Sequence, residues 1–236
     1  MSVLVFQHDP REDAALLGHA LSRHGHRLRV LRLDLGQPLP ADLDDVDGVV
    51  SMGGPMNVDE SAKHAWMPGE MAMLRAAHEA RKPVVGVCLG AQLIAAALGG
   101  KVAAMAKPEV GWHALTLSPA GATDPLLAGQ PLSVVQFHLH GQQVTELPAG
   151  AANLASTPAC RNQAFRVGFR TYAFQYHVEC DEAHIQRFAQ DELVQRSPGG
   201  VQAVLDATPA HFLAYRRLGD RLCESLATLL FDPARG

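Results

Sequence analysis

Apolar residues recur along the chain with two different periods. Residues 3–8 form a short apolar run closed by the turn signal Asp9-Pro10, as a first strand would. Residues 12–23 then carry Ala14, Leu16, Leu17, Ala20 and Leu21 at helical spacing. Residues 28–33 alternate apolar and basic positions, the pattern of a half-exposed strand, and residues 36–47 are a Pro- and Asp-rich connection. Residues 48–52 predict a buried strand running into Gly53-Gly54-Pro55, residues 68–80 a helix, residues 84–87 another buried strand, and residues 89–98 a helix closed by Gly99-Gly100. The middle section, 101–170, changes character, with strand-like runs at 114–117 and 133–137 between Gly and Pro punctuation. Residues 172–176 predict a further strand ending at His177, and residues 182–193 a helix. Ser197-Pro198-Gly199-Gly200 breaks the chain before one or two amphipathic helices over 201–231.

Strands alternating with helices over the first hundred residues predict an α/β fold, an open, mostly parallel sheet flanked by helices. We expect one domain over residues 1–192 and a helical C-terminal extension over 193–236 packed on it. Within that extension Phe212, Leu213, Leu218, Leu222, Leu226 and Leu229 keep mostly helical spacing, which suits packing on the chain's own domain, a homodimer face or a lid.

Composition narrows the partners. The chain has 236 residues, 47% of them hydrophobic but only 6% aromatic, so aliphatic side chains must fill the core. A net charge of −4 without basic runs gives no field for nucleic acid. No apolar run is long enough to span a bilayer, and the N-terminus reads as a strand rather than a signal peptide, so the expected location is the cytoplasm. The cysteines, Cys88, Cys160, Cys180 and Cys223, form no CxxC pair, which argues against a zinc ribbon or a dithiol redox motif.

Chemistry concentrates in two places. Gly86-Val87-Cys88-Leu89-Gly90 lies between an apolar strand and an apolar helix, a nucleophile elbow with cysteine as the nucleophile. The sharp turn brings strand and helix together where only glycine fits. It also leaves Cys88 before a helix N-terminus, whose free amides favour a thiolate and can bind an oxyanion. Such a nucleophile needs a base and a group to orient it. In Tyr176-His177-Val178-Glu179 an apolar strand delivers His177, and Glu179 shares its face two residues on. Among the other histidines, His19, His24, His26 and His184 sit in polar helical or turn contexts and are expected at the solvated surface. His138 and His140 have a metal-pair spacing, but no carboxylate or cysteine nearby completes a set, so no metal is expected.

Four blocks together resemble the class I (triad-type) glutamine amidotransferases, in particular the stand-alone group similar to the amidotransferase domain of GMP synthetase. Ser51-Met52-Gly53-Gly54-Pro55-Met56 resembles the family's oxyanion strand, and residues 86–92 its elbow. Residues 137–144 with Leu147-Pro148 resemble its histidine–glycine block, and residues 174–179 its His-Pro-Glu motif. The resemblance covers about residues 1–192 and implies a flavodoxin-like fold. It implies Cys88, His177 and Glu179 as a catalytic triad and an oxyanion hole at Gly54 and Leu89. It further implies substrate contacts from Gly53, Gln92 and His140, and a thioester route that needs no cofactor. Two departures stand out: Val178 replaces the usual Pro, and Gln142 follows Gly141 where the family usually has an acid.

The resemblance implies glutaminase-type hydrolysis of the γ-glutamyl amide of glutamine, releasing glutamate and ammonia. The chain has no room for a synthase, so any ammonia acceptor would be a separate synthase protein. Two alternatives remain, a γ-glutamyl peptidase and a non-catalytic binding or regulatory module. The intact Cys88, His177 and Glu179 count against the last.

Overall fold

In a computed structural model, residues 1–232 are described; the last four residues of the expected extension lie outside them. Strand β1 (Ser2–Gln7) pairs in parallel with β2 (Arg27–Arg32) on one side and β3 (Gly48–Ser51) on the other. Strand β4 (Val84–Val87) continues the sheet beside β3, and β9 (Thr171–Phe174) lies beside β4, again in parallel. Strands β1, β3, β4 and β9 are buried on both faces, which explains their unbroken apolar runs. Strand β2 is the edge, and its arginines face water.

Each face carries its own core. Val3, Val5, Val50, Val85 and Phe174 point to one side and meet Leu16, Leu17, Ala20 and Leu21 of helix α1 (Ala15–Arg23). Leu4, Phe6, Val49 and Val84 point to the other and meet helices α2 (Met67–Glu79) and α3 (Leu89–Ala97). This is the open, mostly parallel sheet between helical layers that the hydrophobic pattern predicts.

The middle section departs from its expected short strands. Strand β5 (Lys101–Leu117) and strand β6 (Ser133–Glu146) form a long antiparallel hairpin with a register shift between Ala104 and Glu109. Pro108 and Gly111, which read as punctuation, lie inside β5, where the irregularity and a φ of 88° at Gly111 absorb them. A short helix α4 (Pro119–Thr123) lies between them in sequence, and β7 (Ala151–Ser156) and β8 (Ala164–Val167) join the hairpin to β9.

Helix boundaries also shift where side chains cap the backbone. Helix α1 starts at Ala15 rather than residue 12, because Asp13 accepts a hydrogen bond from Ala15 N, 2.8 Å, and Glu12 is left in a loop. The expected helix over 182–193 is two helices, α5 (Glu182–Phe188) and α6 (Glu192–Arg196). Extended Asp191 between them caps the second through Leu193 N. Helix α7 (Gly200–Ser225) runs into a π-helical turn, Leu226–Leu230. Leu222, Cys223, Leu226 and Leu230 pack on α1 in the first core, while Val204 and Tyr215 join Phe137, Phe188 and Val194 in a third apolar cluster under the β5–β6 hairpin. Leu213, counted above on the apolar face, is 64% exposed. Among the described residues no helix is long and apolar enough to cross a membrane.

Candidate active site

The elbow is built as its spacing demands. Cys88 sits between β4 and α3 with φ 51° and ψ −107°, a conformation costly for a residue with a side chain. A Cβ on Gly86 would stand 2.6 Å from the backbone of Gly90, and one on Gly90 would overlap Ser51 O. Cys88 N donates to Phe174 O of β9 at 2.8 Å, which pins the turn to the sheet. The thiol is buried, with Sγ 3.6 Å from Leu139 O. Burial pushes the thiol pKa up, and His177 only partly offsets this.

His177 follows the end of β9, where its N–H donates to Phe137 O of β6 at 3.0 Å. Its Nδ1 lies 2.9 Å from Glu179 Oε1, and Nε2 is buried without a hydrogen-bond partner. Phe137 and Phe188 pack around the ring. Burial favours the neutral imidazole, but the Glu179 carboxylate prevails and raises the His177 pKa well above its ordinary value. Val178 stands where the resemblance calls for Pro, and the loop is held from outside instead. Tyr215 of α7 donates to His177 O at 3.0 Å and accepts from Cys180 N at 3.1 Å, bridging the two sides of Val178–Glu179.

The expected contact residues divide. Gly54, Cys88, Leu89, Gln92 and His140 all line one cleft of about 580 Å³. Leu89 opens helix α3, so its N–H has no partner within the helix. The Gln92 amide donates to Gln142 O at 3.3 Å and to Gln175 Oε1 at 3.1 Å. The Gln142 side chain turns away and spans Val58 N and Asp59.

His26 and His184, expected at the surface, are buried. His26 Nε2 meets Ala227 O at 3.3 Å, and His184 lies between Asp13 and Asp181 at 3.2 and 2.7 Å. A carboxylate does approach the His138–His140 pair: Glu109, from β5, brings its Oε2 to 3.3 Å from His140 Nε2. The ligand atoms of the three lie within 4.8 Å of one another, a spacing that could hold a metal ion. Thr157 and Gln163 donate to Glu109 and His140 Nδ1 meets Gln142 O at 2.9 Å, whereas both ring nitrogens of His138 are buried without a hydrogen-bond partner. His177, Glu179 and Cys180 are as close, but Nδ1 and the carboxylate are committed to each other. Cys180 is buried, with its Sγ 3.7 Å from Glu179 Oε1.

Two parts of the site escaped the sequence reading. His8, at the end of β1, contacts Glu70 Oε2 at 2.8 Å and Gly53 O at 3.0 Å, while Ser51 donates to Glu70 Oε1 at 2.6 Å. Burial alone would keep His8 neutral, but Glu70 raises its pKa, and the network ties down the strand that leads to Gly54. The signal was available: Glu70 shares the buried face of α2 with Met67, Leu74 and Ala77. The second part is Glu12, which lines the cleft beside Cys88.

Comparison with known proteins places the chain in a family. The sequence model of the family described as "Glutamine amidotransferase class-I" matches residues 14–194. The glutamine amidotransferase-like protein YfeJ of Salmonella typhimurium is 30% identical over 238 residues, 97% of each chain. One component of the glutamine-hydrolysing GMP synthase of Thermoplasma volcanium is 32% identical over 147 residues, 61% of this chain and 68% of that protein. The crystal structure of a glutamine amidotransferase from Methylobacillus flagellatus superposes with a TM-score of 0.84 at 27% identity, covering 94% of this chain and 92% of that one.

Proposed function

The chain belongs to the class I glutamine amidotransferases, and from that premise we propose that it is a cysteine-nucleophile amidase that hydrolyses the γ-glutamyl amide of glutamine. The observation that carries this reading is the orientation of His177. Its Nδ1 is held by Glu179, leaving Nε2 buried without a hydrogen-bond partner, and the Cys88 thiol is among the groups that act on the ring. Cys88 Sγ attacks the amide carbon as His177 Nε2 takes the thiol proton, and Glu179 stabilises the imidazolium. Backbone amides of Gly54 and Leu89 receive the developing oxyanion, a contribution of roughly 3 kcal/mol per donor in comparable sites. His177 returns its proton to the departing ammonia, and water then cleaves the thioester to free glutamate. Gln92 and His140 border the space for the glutamyl group, while Gly53, expected there too, does not line the cleft and packs against Glu12.

A relative that is one component of a GMP synthase supports a separate partner that consumes the ammonia. One observation favours a second reading, γ-glutamyl peptide hydrolysis. The cleft extends past Cys88 to a rim with charges of both signs, Arg11, Asp191, Glu192 and Arg196, which would accommodate a zwitterionic leaving group. Purified protein should release ammonia and glutamate from glutamine, and Cys88→Ala should abolish that release. Release of amino acids from γ-glutamyl peptides, with glutamine turned over poorly, would select the second reading. No turnover of either, together with no labelling of Cys88 by an alkylating glutamine analogue, would sink both.

A further inference from the structure

Glu12 is a carboxyl group inside the candidate site for which the triad has no use. It is 6% exposed, its Oε2 has no hydrogen-bond partner, and it lines the same cleft as Cys88, Gly54 and Leu89. Its position is tightly defined by the oxyanion strand. A Cβ on Gly53 would overlap Glu12 Oε2 and would stand 3.4 Å from Cys88 Cβ. The glycine at 53 thus leaves room for this carboxyl, which fills the side-chain space between the oxyanion strand and the nucleophile.

A carboxylate there would be cut off from water and would face charges of both signs. The titratable groups around it are His8, Asp9, Cys88, His177, Glu179 and Cys180. Burial is the largest influence and pushes the carboxyl up to about 7; His177 opposes it, Glu179 and Asp9 add to it, and His8 offsets them in part. A neutral carboxyl has an O–H to give, and Glu12 lines the cleft in which amide attack would develop negative charge, with its unpaired Oε2 buried between Gly53 and Cys88.

We propose that Glu12 meets the reacting centre as a neutral carboxylic acid and gives its O–H to the substrate's carbonyl oxygen, alongside the backbone amides of Gly54 and Leu89. This rests on the amidase reading above. In the acylation step the Cys88 Sγ–carbon bond forms, the carbonyl π pair moves to oxygen, and the thiol proton goes to His177. The Glu12 proton is shared with that oxygen and not transferred. When the oxygen pair re-forms the carbonyl, the carbon–nitrogen bond breaks and the amine leaves with the proton from His177. An ionised Glu12 would oppose the oxyanion by charge and offer no donor.

The test uses the full chain with two variants. Glu12→Gln keeps the size and an N–H donor but does not ionise; Glu12→Ala removes both, and melting curves establish that each is folded. Wild-type kcat/KM for the γ-glutamyl substrate is expected to fall as pH rises through about 7, while Glu12→Gln holds its rate over that range. Glu12→Ala is expected to lose about a hundredfold in kcat below pH 7, the scale of one oxyanion donor, and the gap should close at higher pH, where wild-type Glu12 ionises. An alkaline limb unchanged in Glu12→Gln, or a wild-type kcat in Glu12→Ala below pH 7, overturns the inference. A readout that needs no substrate separates this failure from that of the amidase reading. The rate at which iodoacetamide alkylates Cys88 should match between wild type and Glu12→Gln at acid pH. Above pH 7 Glu12→Gln should react faster, by about tenfold per unit that the Glu12 carboxylate raises the thiol. Equal alkylation rates across the whole range overturn the placement of Glu12 against the nucleophile. Absence of turnover of any γ-glutamyl compound would sink the amidase reading, and with it the oxyanion role.

Discussion

The buried carboxyls Glu12, Glu70 and Glu179 lie around the nucleophile and the oxyanion strand, and they differ in what they are given to bond. Glu70 accepts from Ser51 and contacts His8; Glu179 is paired with His177 and accepts from the Cys180 thiol at 3.7 Å. Oε2 of Glu12, like Oε2 of Glu179, has nothing to accept from, but Glu179 has its other oxygen 2.9 Å from His177 Nδ1. The pKa of Glu12 therefore rises from 4.5 to about 7, chiefly through burial. The folded chain holds this proton more tightly than the unfolded chain. The associated stability is present below about pH 4.5 and is lost as pH rises toward 7. At about 1.4 kcal/mol per pKa unit, the loss amounts to roughly 3 kcal/mol. Glu12→Gln cannot ionise and should escape it. Its melting temperature should exceed that of wild type at pH 8, and the gap should close on titration to pH 5. A gap that does not change with pH would mean that Glu12 is already ionised at pH 5 in the folded chain.

At the level of elements, the triad depends on a helix outside the sheet that delivers it. The Tyr215 hydroxyl of α7 bonds both His177 O and Cys180 N and so fixes the turn in which Val178 replaces a Pro. Tyr215→Phe keeps the ring in the third apolar cluster but leaves a buried acceptor and a buried donor unpaired, at a cost of about 1–3 kcal/mol. It should lower kcat more than it raises KM, because His177 loses its position while the cleft keeps its lining. A variant with wild-type kcat would show that the turn holds itself.

This dependence also marks how far the sequence was legible. The parallel strands and the elbow could be read because their signals are local, an apolar run and a pair of glycines two residues either side of Cys88. His177 and Glu179 could be read because strand period places them on one face. Glu12, His8 and Tyr215 could not, because each acts on a partner more than thirty residues away, and their own contexts are a polar loop, a strand end and an amphipathic helix. His184 was misjudged for the same reason, since its burial comes from Asp13 across the chain as well as Asp181 beside it. Strand β5 was cut short because Pro108 and Gly111 carry turn signals that the irregular hairpin overrides.

At the scale of the whole molecule, the division at residue 193 meets the cores. Val204, Tyr215, Leu222, Leu226, Leu230 and Phe231 are each at most 5% exposed, and they fill two of the three apolar clusters. Burying side chains of this size contributes about 2 kcal/mol each, so together they contribute on the order of 10 kcal/mol, comparable to the whole net stability of a typical domain. The segment after Arg196 is therefore expected to be part of the folding unit. A chain ending at Arg196 would uncover the α1 face of the sheet and the underside of the β5–β6 hairpin, and it would free the turn that carries His177. It should lose the cooperative unfolding transition in calorimetry and expose apolar surface to a dye such as ANS. A truncated chain that melts cooperatively with native-like dichroism would instead make residues 1–192 a domain in their own right, with α7 an attachment that serves only to steady the base.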